Sequence, residues 1–270
     1  MKKKKKRGAG DILLMLIMLI AIGVFCYAGY QLFQIFGEYN EGTKEYDGLR
    51  DFVMIDDSVN RQNPSDQQSA EDGTVIDANI IPTCPVQVDF DSLKALNSDV
   101  VGWIYVEAIP EISYPIVKGT DNDFYLKHTV EKVRNSSASI FIDYRNASDF
   151  SDSNTVIYGH NMKNLSMFGR LSSMLNEDVY SKSSYIWVVT PEEDICYEIF
   201  SVRHVSELDG LYVLFNASPE EFVNDLNTYH QLSEVPYEMS FDGTETIITL
   251  STCTSNDSVR CVVQAVRKDF

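Results

Sequence analysis

The chain of 270 residues lacks most of what marks a metal site, a disulfide scaffold or a nucleotide cradle. Its five cysteines stand at positions 26, 84, 196, 253 and 261, spaced neither as zinc ligands nor as a disulfide framework. No two of its four histidines fall at ligand spacing, and the carboxylates scatter through loops, so neither a metal nor a cofactor is expected. A glycine-rich phosphate loop, a G-x-S-x-G elbow and internal repeats are all missing. Positive charge is scarce too, with 22 Lys and Arg against 40 Asp and Glu and a net charge of −18. Phosphate backbones are gripped by Lys and Arg, which excludes nucleic acid as a partner. An acidic surface instead keeps a tethered domain dispersed.

The positive charge that exists is concentrated at one end. Lys2–Arg7 is a basic run, and Ile12–Phe36 follows without a single charge. About 20 apolar residues cross a bilayer, so this stretch spans with some tilt. It is too long for the core of a signal peptide, and no small-residue cleavage motif follows. Residues 1–11 are therefore read as a basic cytoplasmic end and 12–36 as an uncleaved transmembrane anchor. The basic flank holds the N terminus inside and places the rest on the extracellular face. An outward-facing chain with so few cysteines fits a host that does not rely on disulfides, such as a Gram-positive bacterium.

Residues 37–85 read as a juxtamembrane helix and a linker. Tyr39, Tyr46, Leu49 and Phe52 continue a weak helical pattern, and the polar stretch from Asp56 to about Ile81 cannot bury a core. Residues 86–270 make a comfortable single domain. Candidate strands are Gly102–Val106, Tyr114–Lys118, Ala138–Ile142, Thr155–Tyr158, Tyr185–Val189, Tyr197–Arg203, Thr246–Ser251 and Val259–Val266. So many short strands with few helices predict a closed β-barrel or a sandwich. Two helices interrupt them. Leu165, Phe168, Leu171 and Leu175 mark one; Ser218, Pro219 and Glu221 cap the other, whose apolar face is Phe222, Leu226 and Tyr229.

Three residues carry the chemistry. In Thr249-Leu250-Ser251-Thr252-Cys253, alternation sends Ile248, Leu250 and Thr252 to one face and Thr249, Ser251 and Cys253 to the other. The apolar set turns to the core, which aims Cys253 at a polar groove. A free cysteine is usually a small buried hydrophobe, but one bracketed by Thr252, Thr254 and Ser255 at a strand end is a poor core residue. His160 closes a second strand, shares a face with Val156 and Tyr158, and follows Gly159, which allows close backbone approach. The other histidines, His128, His204 and His230, read as ordinary hydrogen-bonding side chains. Arg260 opens the last strand, and the turn Ser255–Ser258 folds that strand back beside Cys253. Its fixed donors can hold an oxyanion; its bland alternative is an ion pair with Asp257 or Glu245. A thiol, an imidazole and a guanidinium at strand ends are the parts of a cysteine acyl-transfer enzyme.

These segments resemble the sortases, membrane-anchored cysteine transpeptidases of Gram-positive bacteria. Thr249–Cys253 matches their T-L-x-T-C signature. Val156-Ile157-Tyr158-Gly159-His160-Asn161-Met162 matches the segment around the family's histidine, and Arg260-Cys261-Val262-Val263 that around its arginine. Ser251, Phe90–Asn97, Gly102-Trp103-Ile104, Tyr114–Val117 and the capped helix at 218–231 are most like class B. The resemblance covers roughly residues 88–268. It implies a mainly β fold, an eight-stranded sortase-type β-barrel with a few peripheral helices, behind the N-terminal transmembrane helix.

It also implies a mechanism in which Cys253 attacks the threonine carbonyl of a C-terminal sorting signal on a secreted protein. A thioester forms, and His160 moves the protons of the leaving and incoming amines. Arg260 steadies the oxyanion, and Asn122, Leu126, Tyr158, Ser251 and Arg260 contact the substrate. The acceptor is an amine of a lipid-linked peptidoglycan precursor, or a pilin lysine in a polymerising enzyme. Rival readings fit less well. A papain-like protease would carry its cysteine before its histidine, and the Ser-x-Gly-Cys setting of an L,D-transpeptidase is absent. A catalytically idle, tethered binding domain for wall peptides would not need all three residues.

Overall fold

The computed structural model describes residues 9–56, 82–206, 214, 218–253 and 259–268. Lys2–Arg7, all of the polar linker but Asp56, and the turn Ser255–Ser258 lie outside the described residues. The chain divides into two compact units, residues 1–41 and 42–270.

Helix α1 runs Ala9–Leu49 for 41 residues. At about 1.5 Å per residue it is about twice as long as the roughly 30 Å hydrocarbon core. Its apolar part reaches a mean hydropathy of 2.3 with every side chain outward, a candidate membrane span. The last turns belong to the second unit, where Tyr46 and Leu49 are buried. Gly42 matters there because an added Cβ would come within 2.7 Å of Ser137 Oγ and 2.9 Å of Asn135 Oδ1. The Tyr46 hydroxyl donates to the Ala138 carbonyl, and its ring meets Tyr114 edge-on at 5.6 Å.

A two-stranded ribbon follows, β1 (Val53–Ile55) against β2 (Val86–Val88). Neither strand was expected, since three residues are too few to show an alternation. Helix α2 (Phe90–Leu96) is capped by Asp89, whose carboxylate accepts from Ser92 N at 3.1 Å.

The remaining strands are β3 (Val100–Val106), β4 (Ile109–Val117), β5 (Ile140–Ile142), β6 (Asn154–His160), β7 (Tyr185–Val189), β8 (Asp194–Ser206), β9 (Ile247–Cys253) and β10 (Val259–Lys268). They close into an eight-stranded barrel in the order β10-β8-β7-β3-β4-β5-β6-β9, so the barrel is the correct member of the expected pair and the sandwich is not. Neighbours are antiparallel except β4–β5 and β6–β9, which are parallel. A parallel pair needs a long crossover, and here the chain between β6 and β9 supplies β7, β8 and the helices.

One such helix is α4 (Pro219–Gln231), with Ser218 Oγ accepting from Glu221 N at 3.2 Å. Phe222, Leu226 and Tyr229 pack on Phe200, Val205, Ile247, Val262 and Val266. From β9 this cluster takes in Ile247, at the end of the strand away from Cys253. Thr249 and Ser251 are fully buried, and Thr249 Oγ1 donates to Asn154 Oδ1 at 2.8 Å while accepting from Gln264.

The helix expected over Leu165–Leu175 forms only as a 3-10 turn at Leu171–Leu175, followed by the single turn α3 (Glu177–Tyr180). Leu165 and Met167 take positive φ angles of 65° and 54°, which no helix tolerates. Their amides are spent on tighter ties, Leu165 N to Met162 O at 2.9 Å and Met167 N to the Tyr114 hydroxyl at 3.1 Å. Leu165 is 47% exposed while Phe168 and Leu171 are fully buried, so only the later part of the apolar stripe faces the core.

Candidate active site

The parallel register of β6 and β9 runs residue for residue from Asn154↔Ile247 to His160↔Cys253. Residues directly paired across strands stand side by side, so His160 and Cys253 are lateral neighbours at one barrel end. On the other flank of β9, β10 pairs Val262 with Ser251. Continued toward the strand ends, that register sets Arg260 across from Cys253. Three strands thus deliver the three residues to one edge.

The frame around them is tightly made. At Gly159, an added Cβ would lie 2.5 Å from Ile140 Cδ1 and 2.6 Å from the Phe168 ring. The expected close approach is therefore real, and it comes from side chains packed across β6. The strand stops at His160 because the chain reverses there, with an Asn161–Met167 bridge and Phe168 N donating to His160 O at 3.0 Å. On β9, Thr252 is buried and its Oγ1 accepts from Cys261 N at 3.0 Å. Arg260 Nη1 donates to the Thr252 carbonyl at 2.9 Å. The expected alternative ion pair to Glu245 is not the arrangement found, since the Glu245 carboxylate caps the amides of Asp242 and Gly243. Asp257 lies outside the described residues.

His160 is partly buried, and its Nε2 donates to the Leu126 carbonyl at 2.9 Å. A carbonyl can only accept, so Nε2 carries the proton and Nδ1 of the neutral ring holds the lone pair. Burial pushes the imidazole pKa below its ordinary value, and the Leu126 carbonyl opposes this only in part. The turn that offers Leu126 is itself pinned. Asp121 Oδ1 accepts from the amides of Asp123 and Phe124, both at 2.8 Å, and Tyr125 donates to Asp99 at 2.6 Å.

Asn122 and Tyr158 meet at one side chain that the sequence reading passed over. Asp143 follows β5, is fully buried, and accepts from Asn122 Nδ2 at 2.9 Å and Tyr158 OH at 3.2 Å. Arg145 clamps it with Nε and Nη2, both at 2.8 Å. A charged Asp-x-Arg pair straight after the apolar run Ile140-Phe141-Ile142 was the signal that could have found it. Asn122, Leu126 and Tyr158 are partly buried along this wall, whereas Ser251 is enclosed beside Tyr158. The other histidines are engaged elsewhere: His128 with Phe124 O, His204 with Glu234, His230 with Tyr237 O. Among the described residues, no three His, Cys, Asp or Glu side chains gather as a metal site.

A family model described as the sortase domain matches residues 104–268, which take in all of the barrel but the start of β3, and all three strand ends. The chain belongs to the sortase family. Sortase B of Listeria monocytogenes is 32% identical over 242 residues, 88% of each chain. The solved structure of Bacillus anthracis sortase B superposes with a TM-score of 0.68 at 28% identity, covering 87% of this chain and all of that one. A Staphylococcus aureus sortase B–substrate complex gives 0.63 at 27% identity, over 67% of this chain and 84% of that one. This sortase is therefore a sortase B-like member of a transpeptidase family with the eight-stranded barrel of its relatives.

Proposed function

We propose that this sortase cleaves a C-terminal sorting signal of secreted proteins after threonine and passes the acyl group to an amine of a lipid-linked peptidoglycan precursor. The observation that carries the reading is the His160↔Cys253 pairing, with Arg260 on the next strand. The Cys253 thiol passes its proton to the neutral His160 as its sulfur attacks the carbonyl; the adduct collapses to the thioester and expels the amine, which His160 protonates, and His160 then takes the proton of the incoming amine. Arg260 holds the oxyanion from a guanidinium anchored on the Thr252 carbonyl. Asn122, Leu126, Tyr158 and Ser251 form the substrate groove. Ser251 is closed off by packing, so it acts through its backbone or after the groove opens. Residues 12–36 anchor the chain, residues 1–11 stay cytoplasmic, and the domain over 86–270 works on the extracellular face, where both substrates arrive.

The test uses the full chain in detergent micelles with a quenched panel of sorting-type pentapeptides and an added amine. Cleavage after threonine, abolished in Cys253→Ala and joined to the amine in wild type, supports the proposal. If no peptide is cut and Cys253 resists thiol alkylation, the tethered binding domain becomes the better reading.

A further inference from the structure

The two wall residues Asn122 and Tyr158 come from distant parts of the chain, a turn and a strand, yet both end on the same oxygen, Asp143 Oδ2. The carboxylate is fully buried, and a buried charge is tolerated only when its lone pairs are filled. Arg145 fills them from outside with two side-chain bonds and its own amide, Arg145 N to Oδ1 at 3.0 Å. Its side chain is about half exposed and faces the exposed ring of Tyr144. Asn122 closes the circuit, because its Oδ1 accepts from Tyr144 N at 3.0 Å. With the amide nitrogen given to Asp143 and the oxygen to Tyr144, the orientation of Asn122 is fixed from both ends.

Asp143 Oδ1 closes a local turn onto the Arg145 amide, but Oδ2 goes further and takes Asn122 and Tyr158. An apolar residue in place of Asp143 would satisfy the core end of β5 without importing a charge. The ion pair is instead placed where it orients two groups that line the groove.

We propose that Asp143 is a positioning residue for sortase B-like transpeptidation, fixing Asn122, Tyr158 and Arg145 as a rigid polar wall that reads the peptide residues preceding the scissile threonine. This rests on the substrate reading of Asn122 and Tyr158 above. Rigid, pre-aligned polar groups cost no ordering when the peptide binds, so their loss falls on substrate recognition. His160 shares β6 with Tyr158, but its imidazole bonds to the Leu126 carbonyl and not to Asp143.

The experiment measures full-chain wild type and Asp143→Asn against peptides that vary the residue three before the threonine. The substitution keeps the shape and removes the charge. The expected result is a KM raised about tenfold for the preferred peptide, kcat within about twofold, and a flattened preference across the panel. The alkylation rate of Cys253 should be unchanged. An equal loss on every peptide, or a fall in kcat at constant KM, overturns the role of Asp143 and leaves the function standing. A wild type that cuts no peptide removes the function and this inference together. If Asp143→Asn fails to fold, Tyr158→Phe and Asn122→Ala each free one bond to the carboxylate. Their combined effect on KM should fall short of the product of the single effects, and independent effects overturn the proposal.

Discussion

Two sides of the proposed groove are built by opposite means. At the ends of β6, β9 and β10, backbone pairing alone sets where His160, Cys253 and Arg260 stand. Along the wall, Asn122 and Tyr158 are held by side-chain bonds to one buried carboxylate. A ladder of main-chain bonds does not depend on which side chains it carries. A side-chain hub does. Chemistry on the first side should therefore be separable from stability, and recognition on the second should not.

The largest effect that tests this comparison comes from His160→Ala or Cys253→Ala. Each should lower turnover by at least about 10³-fold, the scale of a lost acid–base or nucleophilic group. Calorimetry should find the melting temperature lowered by only a few degrees, because His160 gives up one bond, to the Leu126 carbonyl, while the main-chain ladder stays. A large drop in stability would show that the two sides are not built differently. Arg260→Lys keeps the charge and loses the planar fork, and should cost about 10²-fold in kcat with little change in KM.

The wall should respond to acid in a way the strand ends do not. Burial alone would raise the Asp143 carboxyl, but the bonds from Arg145 and Asn122 bring it down to about 2. Against about 3.9 in the unfolded chain, this stability is present above pH 4 and lost as the pH falls through about 2. It amounts to something on the order of 2 kcal/mol, and Asp143→Asn should flatten that part of the acid unfolding curve. His160 acts in a higher window. Its depressed folded pKa means the unfolded chain protonates first, so stability declines as pH falls below about 6.5, a slope that His160→Gln should abolish.

The smallest effect probes how far the wall reaches. Tyr46 ties the end of α1 to Ala138 and Ser139, and Ser139 in turn holds Tyr125 O and His128 O around the Leu126 turn. Tyr46→Phe should cost about 1–2 kcal/mol by unfolding in denaturant, with a fall in kcat of no more than a few fold. No change in either would mean that the juxtamembrane turns do not support the histidine's turn.

Much of the domain could be read without coordinates because short-range rules govern it. Short β-rich runs between turn residues located the eight barrel strands, and the Ser218 cap marked α4, since both depend on residues a few positions apart. The failed helix at Leu165–Leu175 shows the limit. Its spacing of leucines satisfied a helical pattern, but the hydroxyl of Tyr114, fifty positions upstream, took the amide of Met167. The burial of Thr249 was equally out of reach, since its hydroxyl is tied to Asn154, ninety-five positions away.

The sequence by itself determined the inventory: an uncharged stretch long enough to cross a membrane, an acidic β-rich domain, and a cysteine, a histidine and an arginine at strand ends. Only the tertiary structure decided which strands are neighbours. The parallel pairing of β6 with β9 joins residues more than ninety positions apart, and Asp143 joins a turn to a strand. Local propensity carries no term for such contacts. They form because closing the barrel satisfies every strand edge at once and leaves one arrangement in which the buried charge is paired.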